Sequence, residues 1–394
     1  MFLLFIYFRQ FAQFCLFSSV GVAKYRLIFV FRKTLFTFSL PKHFFNCKDN
    51  KNLITPSSPI LANLIYRDYY KTKRTNEVKH NMKTSKETIL TKGWTVCLLA
   101  IICCLLWGSA FPSIKIGYQL FQVNSTDIAA QILFAGYRFT LAGILVIMIG
   151  SLLQQKFLKP SKISAPKILK ICLLQTVLQY FFFYIGLAHT SGVKGSIITA
   201  SNVFLSILFS SLIFKLEKIN IQKIIGCVIG FAGVVIINLS GQNADLSFHL
   251  LGDGFVLFAA ISSSLSSNFM KKYSQNEDPV LLSGYQFILG GVIMASGAYL
   301  AGGRLKTVTS SGILLLLYLA FLSAAAYSVW GILLKYNPVS RVSIYGFANP
   351  VFGVILSTII LSEGNAFGGK SLIALVCVCI GIFIVNYVPK SKTT

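Results

Sequence analysis

Arg138 stands about ten residues inside an apolar run that begins near residue 128, and it is the residue whose chemistry stands out first. An arginine held in hydrocarbon costs at least ~2.5–3.5 kcal/mol, so it must face a partner or a polar recess. Two roles suit it: attracting a carboxylate or phosphate, or bonding the carbonyls of a neighbouring helix. A second group lies on another apolar run, where Gln175 and Gln179, and Tyr180 and Tyr184, are spaced i, i+4 and so share faces. Tyr327 and Trp330 occupy matching places later in the chain. Amides and aromatic rings together suit a mixed pocket for an amphipathic solute. The same amides also serve as glue between packed helices, at ~0.6 kcal/mol each. Asn202 and Asn349 carry that ambiguity, although Pro350 beside the latter favours an opened backbone. Asn268, with Ser262, Ser263, Ser264, Ser266 and Ser267, makes its run polar enough to line a cavity. Trp107, deep in the first regular run, could stack on a substrate.

The elements that must position these residues are long apolar helices. The chain is 55% hydrophobic and 12% charged, with a mean hydropathy of +0.71, too few polar atoms to cover a water-facing surface. Its apolar runs are roughly 20 residues long, the length that crosses ~30 Å of hydrocarbon. They fall near 94–112, 128–151, 168–188, 194–214, 222–239, 252–271, 280–301, 312–334, 341–361 and 369–388. The sequence therefore predicts an all-α polytopic membrane protein with ten transmembrane helices. A net charge of +25 raises nucleic acid as a partner, but the cations lie between the runs and in the N-terminal tail, as membrane topology requires. A lipid bilayer and a small-molecule substrate are the partners expected, with no nucleic acid; a homodimer is compatible with this reading. On one side of the bilayer the connections carry fourteen Lys and Arg, on the other five (Lys115, Lys194, Arg304, Lys306, Lys370), which puts both termini in the cytoplasm of a cell-membrane protein.

Residues 1–92 form a basic extension unlike the rest, with twelve Phe before Met82 and a single Gly, Gly21. That bias is what AT-rich codons would give, so translation is expected to begin at Met82. The nine cysteines are scattered and lack metal-ligand spacing; no disulfide, metal or cofactor is expected. Of the four histidines, His43, His80, His189 and His249, none adjoins an acidic cluster, and the connections are short, which argues against an integral-membrane enzyme. Among acidic residues, Asp253 is the nearest to a proton carrier, whereas Glu217 (beside Lys218) and Glu363 sit where helix ends are capped.

The chain also resembles itself. GYRFTLAG at 136–143 matches GYQFILGG at 284–291, a shift of 148, and residues 180–213 match 327–360 without a gap at a shift of 147. Tyr180 thereby pairs with Tyr327, Asn202 with Asn349, and Gly233 with Gly381. The halves fall at 93–240 and 250–389, followed by a short tail at 390–394. Five spans per copy make the second enter the membrane from the opposite side, giving two inverted five-helix repeats of the kind found in secondary transporters. Gly226, Gly230 and Gly233 predict close packing against the Gly381 region.

Leu106-Trp107-Gly108-Ser109-Ala110-Phe111 followed by Lys115, Arg138-Phe139, the acidic residues Glu217 and Glu363, and Asn349-Pro350-Val351 resemble the motifs of the drug/metabolite transporter superfamily, EamA type. The resemblance covers about 94–388. It implies ten spans with both termini inside, a central cavity between the halves, and export or exchange of metabolites such as amino acids. Lipid or lipid-linked sugar flipping is the alternative that shares this fold logic. The second copy departs at Gln286, which replaces the arginine of the first.

Overall fold

The structure, a computed structural model, describes residues 89–124, 126–190, 192–238, 249–361 and 369–387. Residues 1–88 of the N-terminal extension, with Met82, the acidic Glu363 and the C-terminal tail lie outside the described residues. Within them the chain is helical, with no strand. The helices are α1 (Gly93–Leu120), α2 (Ile128–Gln154), α3 (Ala165–Ile171 continuing through a π turn, Cys172–Leu178, into Gln179–Ala188), α4 (Gly192–Leu212) and α5 (Ile221–Asn238). Then follow α6 (a π turn, Leu250–Gly254, leading into Phe255–Tyr273), α7 (Pro279–Leu300), α8 (Ser310–Tyr336), α9 (Val339–Ser343, a 3₁₀ turn Ile344–Phe347, then Ala348–Leu361) and α10 (Gly369–Asn386). Eight of them are long and apolar enough to cross a bilayer, and α5 and α10 are shorter apolar helices.

The burial pattern is that of a protein solvated by lipid. Leu300, Ile221 and Leu152 point outward at 85%, 74% and 68% exposure, whereas Ser264, Asn268, Thr176, Gln286 and Ser323 are fully buried. Backbone groups have no water to bond in hydrocarbon, so each span satisfies its own as a helix. Side chains cap the starts of α2, α7 and α8. Asp127 accepts from the Ala130 N–H at 2.8 Å to begin α2, and Asp278 accepts from the Val280 N–H at 2.8 Å, with Pro279 in the first turn, to begin α7. Pro112 does not end α1, which runs on to Leu120, some way past the expected boundary near 112. Its ring costs one backbone bond, a loss tolerated where neighbouring helices and serine hydroxyls shield the turn; here Ser109 donates to the Leu106 carbonyl and Ser113 to the Ser109 carbonyl, each at 2.8 Å.

Packing follows the repeat. Helix α2 lies along α7, and α5 along α10; α1 sits against α8 and α9, while α6 sits against α3 and α4. Glycines set the first two crossings. A Cβ added to Gly143 would stand 2.6 Å from the Gly284 carbonyl oxygen, and one added to Gly291 would stand 2.8 Å from that of Gly136. Exchanging each residue for its mate 148 positions away turns the first contact into the second. The α5–α10 crossing behaves alike: Gly381 approaches the Gly226 oxygen (2.6 Å from an added Cβ) and Gly233 approaches that of Ala374 (2.7 Å), again mates at a shift of 148. The close approach that the glycine spacing predicts is therefore present. Without an aqueous driving force between spans, such backbone proximity supplies the van der Waals contact that holds them together.

At the end rich in Lys and Arg, carboxylates tie the two halves. Glu217 pairs with Lys223 at 2.6 Å rather than with Lys218, and accepts from both the backbone N–H (2.9 Å) and the hydroxyl of Ser340, in the first turn of α9. A carboxylate at a helix N-terminus satisfies amides that have no partner within the helix. Glu277, before α7, pairs with Lys167 at 2.7 Å and accepts from the Ser164 hydroxyl at 2.9 Å, both at the start of α3. The Lys167 hydrogen bond holds the Glu277 carboxyl below its usual range, with Ser164 assisting and partial burial opposing.

Two outcomes are expected. Gly291→Val should abolish monodisperse protein on size-exclusion chromatography, because backbone blocks the new side chain, while Gly297→Val, which meets nothing within 4 Å, should not. Glu277→Gln should lower thermal stability by about 1 kcal/mol at neutral pH. Because the folded-state carboxyl is depressed, that difference should be complete above the ordinary Glu value of about 4.3 and be lost as pH falls from there through the lower folded-state value, as followed by melts of both proteins across pH.

Candidate functional site

The centre of the bundle is built on rings. Phe139 of α2 stacks on Phe287 of α7, with centroids 5.2 Å apart and planes 10° from parallel. Tyr180 of α3 meets Phe139 at 4.6 Å, and Tyr327 of α8 meets Phe287 edge-on at 5.0 Å. The Tyr180 and Tyr327 hydroxyls are 3.2 Å apart, within hydrogen-bonding distance. Phe139 and Phe287 are repeat mates, as are Tyr180 and Tyr327. Trp107 of α1 closes the group, edge-on to Tyr327 at 5.1 Å and to Trp330 at 5.0 Å. Offset and edge-to-face rings each add about 0.5–1.5 kcal/mol beyond the area they bury. Packed rings stand where a crevice between the halves was expected.

Polar atoms without partners border the rings. Arg138, 3% exposed, lies over the Phe139 ring at 4.5 Å from its centroid, and its Nε has no hydrogen-bond partner. The hydroxyls of Tyr118, Tyr184 and Tyr327 are within its electrostatic reach. A desolvated cation–π contact is worth about 2 kcal/mol, close to the lower bound for placing arginine at mid-bilayer. The Trp107 indole N–H, the Gln175 and Gln179 amide oxygens and the Asn349 amide oxygen are likewise buried and unpaired. Gln175 lies on the π turn of α3, a local break of the kind often found at functional sites. Asn349 follows the 3₁₀ turn of α9, one turn before Phe352, which abuts Gly108 beside Trp107.

The structure thus brings Trp107, Arg138, Gln179, Tyr180, Tyr327 and Trp330 around one centre. It places Asn202 and Asn268 in the α4–α6 seam instead. Asn202 donates to Ser263 (2.9 Å), Ser264 donates to the Asn202 carbonyl (2.9 Å), and Asn268 donates to the Ser206 carbonyl (3.0 Å). Ser262 bonds the Leu174 carbonyl of α3 at 2.8 Å, so much of the polarity of α6 is spent on its neighbours. Gln286, the mate of Arg138, accepts from Thr176 at 2.6 Å and does not copy the role of the arginine. Asp253, 2% exposed, accepts from the Thr190 hydroxyl and from the His249 N–H (3.0 Å), which engages both oxygens at the start of α6. Sequence reasoning did not single out Phe287 or Tyr118. The signal for Phe287 was its match with Phe139 in the GYRF and GYQF copies; for Tyr118 nothing in the pattern distinguished it.

With this geometry in view, the comparisons with known proteins define the class. The model of the EamA-like transporter family matches residues 94–239 and again 250–387. A transporter of Archaeoglobus fulgidus, of uncharacterised substrate, is 26% identical over 75% of this chain and 98% of its own length. The uncharacterised transporter YvbV of Bacillus subtilis is 27% identical over 77% and 95%, and a chloroplastic WAT1-related protein of Arabidopsis thaliana is 24% identical over 75% and 69%. A solved crystal structure superposes with a TM-score of 0.61 at 17% identity, covering 74% of this chain and 96% of the other, which is likeness of fold. This chain is a multi-pass membrane protein and belongs to the EamA-like transporter family.

The Tyr180–Tyr327 contact can be measured. Tyr180→Phe and Tyr327→Phe should each cost about 1 kcal/mol of thermal stability. The double variant should cost no more than either alone, because both remove the same hydrogen bond; an additive double-mutant cycle would show that the hydroxyls act independently.

Proposed function

We propose that this protein exports or exchanges small amphipathic metabolites, working by alternating access through the aromatic centre between two inverted five-helix halves. The observation that carries this reading is that repeat mates touch each other. A residue meets its own mate only near an axis relating the copies, so the contacts of Phe139 with Phe287 and of Tyr180 with Tyr327 support an axis through the rings. The reciprocal glycine contacts of α2 with α7 and α5 with α10 support the same exchange, as does the double match of the family model. With five spans in each copy the axis lies in the membrane plane, which puts the rings, and Arg138 next to Phe139, at the bilayer midplane. Sites at the midplane between inverted repeats are exposed to alternate sides by rocking of one half against the other.

In this reading α5 and α10 span with the other eight, both termini are cytoplasmic and the protein resides in the plasma membrane, as the Lys and Arg distribution supports. Trp107, Tyr327 and Trp330 receive the apolar part of the solute. Arg138, Gln175, Gln179, Tyr180 and Asn349 receive its polar part, while Asn202 and Asn268 hold the α4–α6 wall behind them. The transporter names of the relatives support transport over chemical turnover.

Proteoliposomes loaded with a panel of labelled metabolites provide the test. Trp107→Ala should lower flux about tenfold, the equivalent of ~1.4 kcal/mol of lost binding, with membrane abundance little changed. Movement of lipid-linked material alone, or turnover without flux, would replace the proposed activity.

A further inference from the structure

Arg138 is the single cation among the described buried residues, at 3% exposure. Ion pairs among the described residues lie elsewhere: Lys167 with Glu277 and Lys223 with Glu217, both at helix ends. Its neighbours are the Phe139 ring and tyrosine hydroxyls, none of which carries a negative charge at neutral pH. A buried charge is ordinarily paired, because an ion taken out of water without a partner is strongly disfavoured. The second unpaired donor at this centre, the Trp107 indole N–H, can only donate. Two buried donors and one uncompensated positive charge therefore border the same group of rings, and what they lack is an acceptor with a single negative charge.

We infer that the substrate supplies it: the site takes an amphipathic organic monoanion, with a carboxylate against Arg138 and an apolar body among Trp107, Tyr327 and Trp330. This rests on the transport site proposed above and names its substrate class. Charge and shape divide the work. The guanidinium matches a carboxylate with parallel N–H donors, and the rings bury the hydrophobic remainder. Gln175 and Gln179 can present either end of their amides to other polar groups on the solute.

The site carries its own reporter. Of the three tryptophans, Trp94 is 64% exposed and the other two form the site, so the full-length protein with Trp94→Phe reports ligand through Trp107 and Trp330 emission. The probes are 3-phenylpropionate, 3-phenylpropionamide and 3-phenylpropylamine, alike in shape but anionic, neutral and cationic at about pH 7.5. The carboxylate should half-saturate the emission change at a concentration about tenfold or more below that of the amide, and the amine should be weaker still. Arg138→Gln should erase the preference, and Arg138→Lys, which keeps the charge without the fork, should restore part of it. Equal affinity for the three probes, no binding of the carboxylate, or a preference that survives in a folded Arg138→Gln protein would overturn the inference. Flux in proteoliposomes separates it from the transport reading. Anion-selective binding without flux would sink transport and leave the anion site standing, whereas flux indifferent to charge would do the reverse.

Discussion

The backbone-to-backbone crossing of α2 on α7 is the contact on which the rest of the arrangement depends. Lipid tails are as apolar as leucine side chains, so burying apolar surface gives helices little reason to prefer each other over the bilayer. What remains is close van der Waals contact and hydrogen bonding, and both need the backbones near. Gly136, Gly143, Gly284 and Gly291 supply that proximity in reciprocal pairs. The crossing brings Phe139 onto Phe287, and that stack sets where Tyr180 and Tyr327 meet. Trp107 and Trp330 then gather on Tyr327, and the aromatic centre is complete.

Arg138 sits beside that crossing because the chain places it one residue before Phe139. Its burial is the cost of having a charge next to the close-packed seam, offset in part by the Phe139 ring and the surrounding hydroxyls. The remaining buried polarity is handled differently. Along α6 the serines and Asn268 bond carbonyls on α3, α4 and their own helix, so that wall is largely satisfied. Among the buried atoms without a partner, Arg138 Nε, Trp107 Nε1 and the amide oxygens of Gln175, Gln179 and Asn349 lie on the helices around the rings, while others, Asn268 Oδ1 and the Ser210 and Ser211 hydroxyls among them, lie along α4 and α6. Buried polar groups are normally paired, and what sets the centre apart is the kind of group left unpaired there, which includes a buried cation and an indole N–H.

The acidic residues are likewise divided by place. Glu217, Glu277 and Asp253 each accept several hydrogen bonds near a helix start, where amide N–H groups lack partners. Glu217 and Glu277 join a connection of one half to a helix entry in the other, so any movement between halves must strain or break them. Their engagement explains why α4, α6 and α7 keep acidic residues at or near their ends although the chain has only eleven Asp and Glu in all.

The amino-acid pattern alone pointed to a bundle of apolar helices and roughly where each lies, to a match of the chain with itself, and to the meeting of Gly226, Gly230 and Gly233 with the Gly381 region. Each of these follows from a quantity that can be read along the chain: a run long enough for the bilayer, a match at a constant shift, or the spacing of glycines. Helix α1 passing Pro112 was not readable, because a proline within an apolar run marks either a stop or a tolerated break in the ladder, and the pattern does not say which. Nor could the pattern separate site from glue. Asn202 and Asn349 are mates with identical side chains, yet Asn202 bonds Ser263 across a seam while the Asn349 oxygen stays unpaired. Arg138 and Gln286 differ in a single aligned position, yet only the fold shows that Gln286 is held by Thr176 and the arginine by nothing but rings and hydroxyls. Side-chain identity fixes what a polar atom can bond; which atoms come within about 3 Å of it depends on segments a hundred or more residues away, and that is settled only when the helices pack.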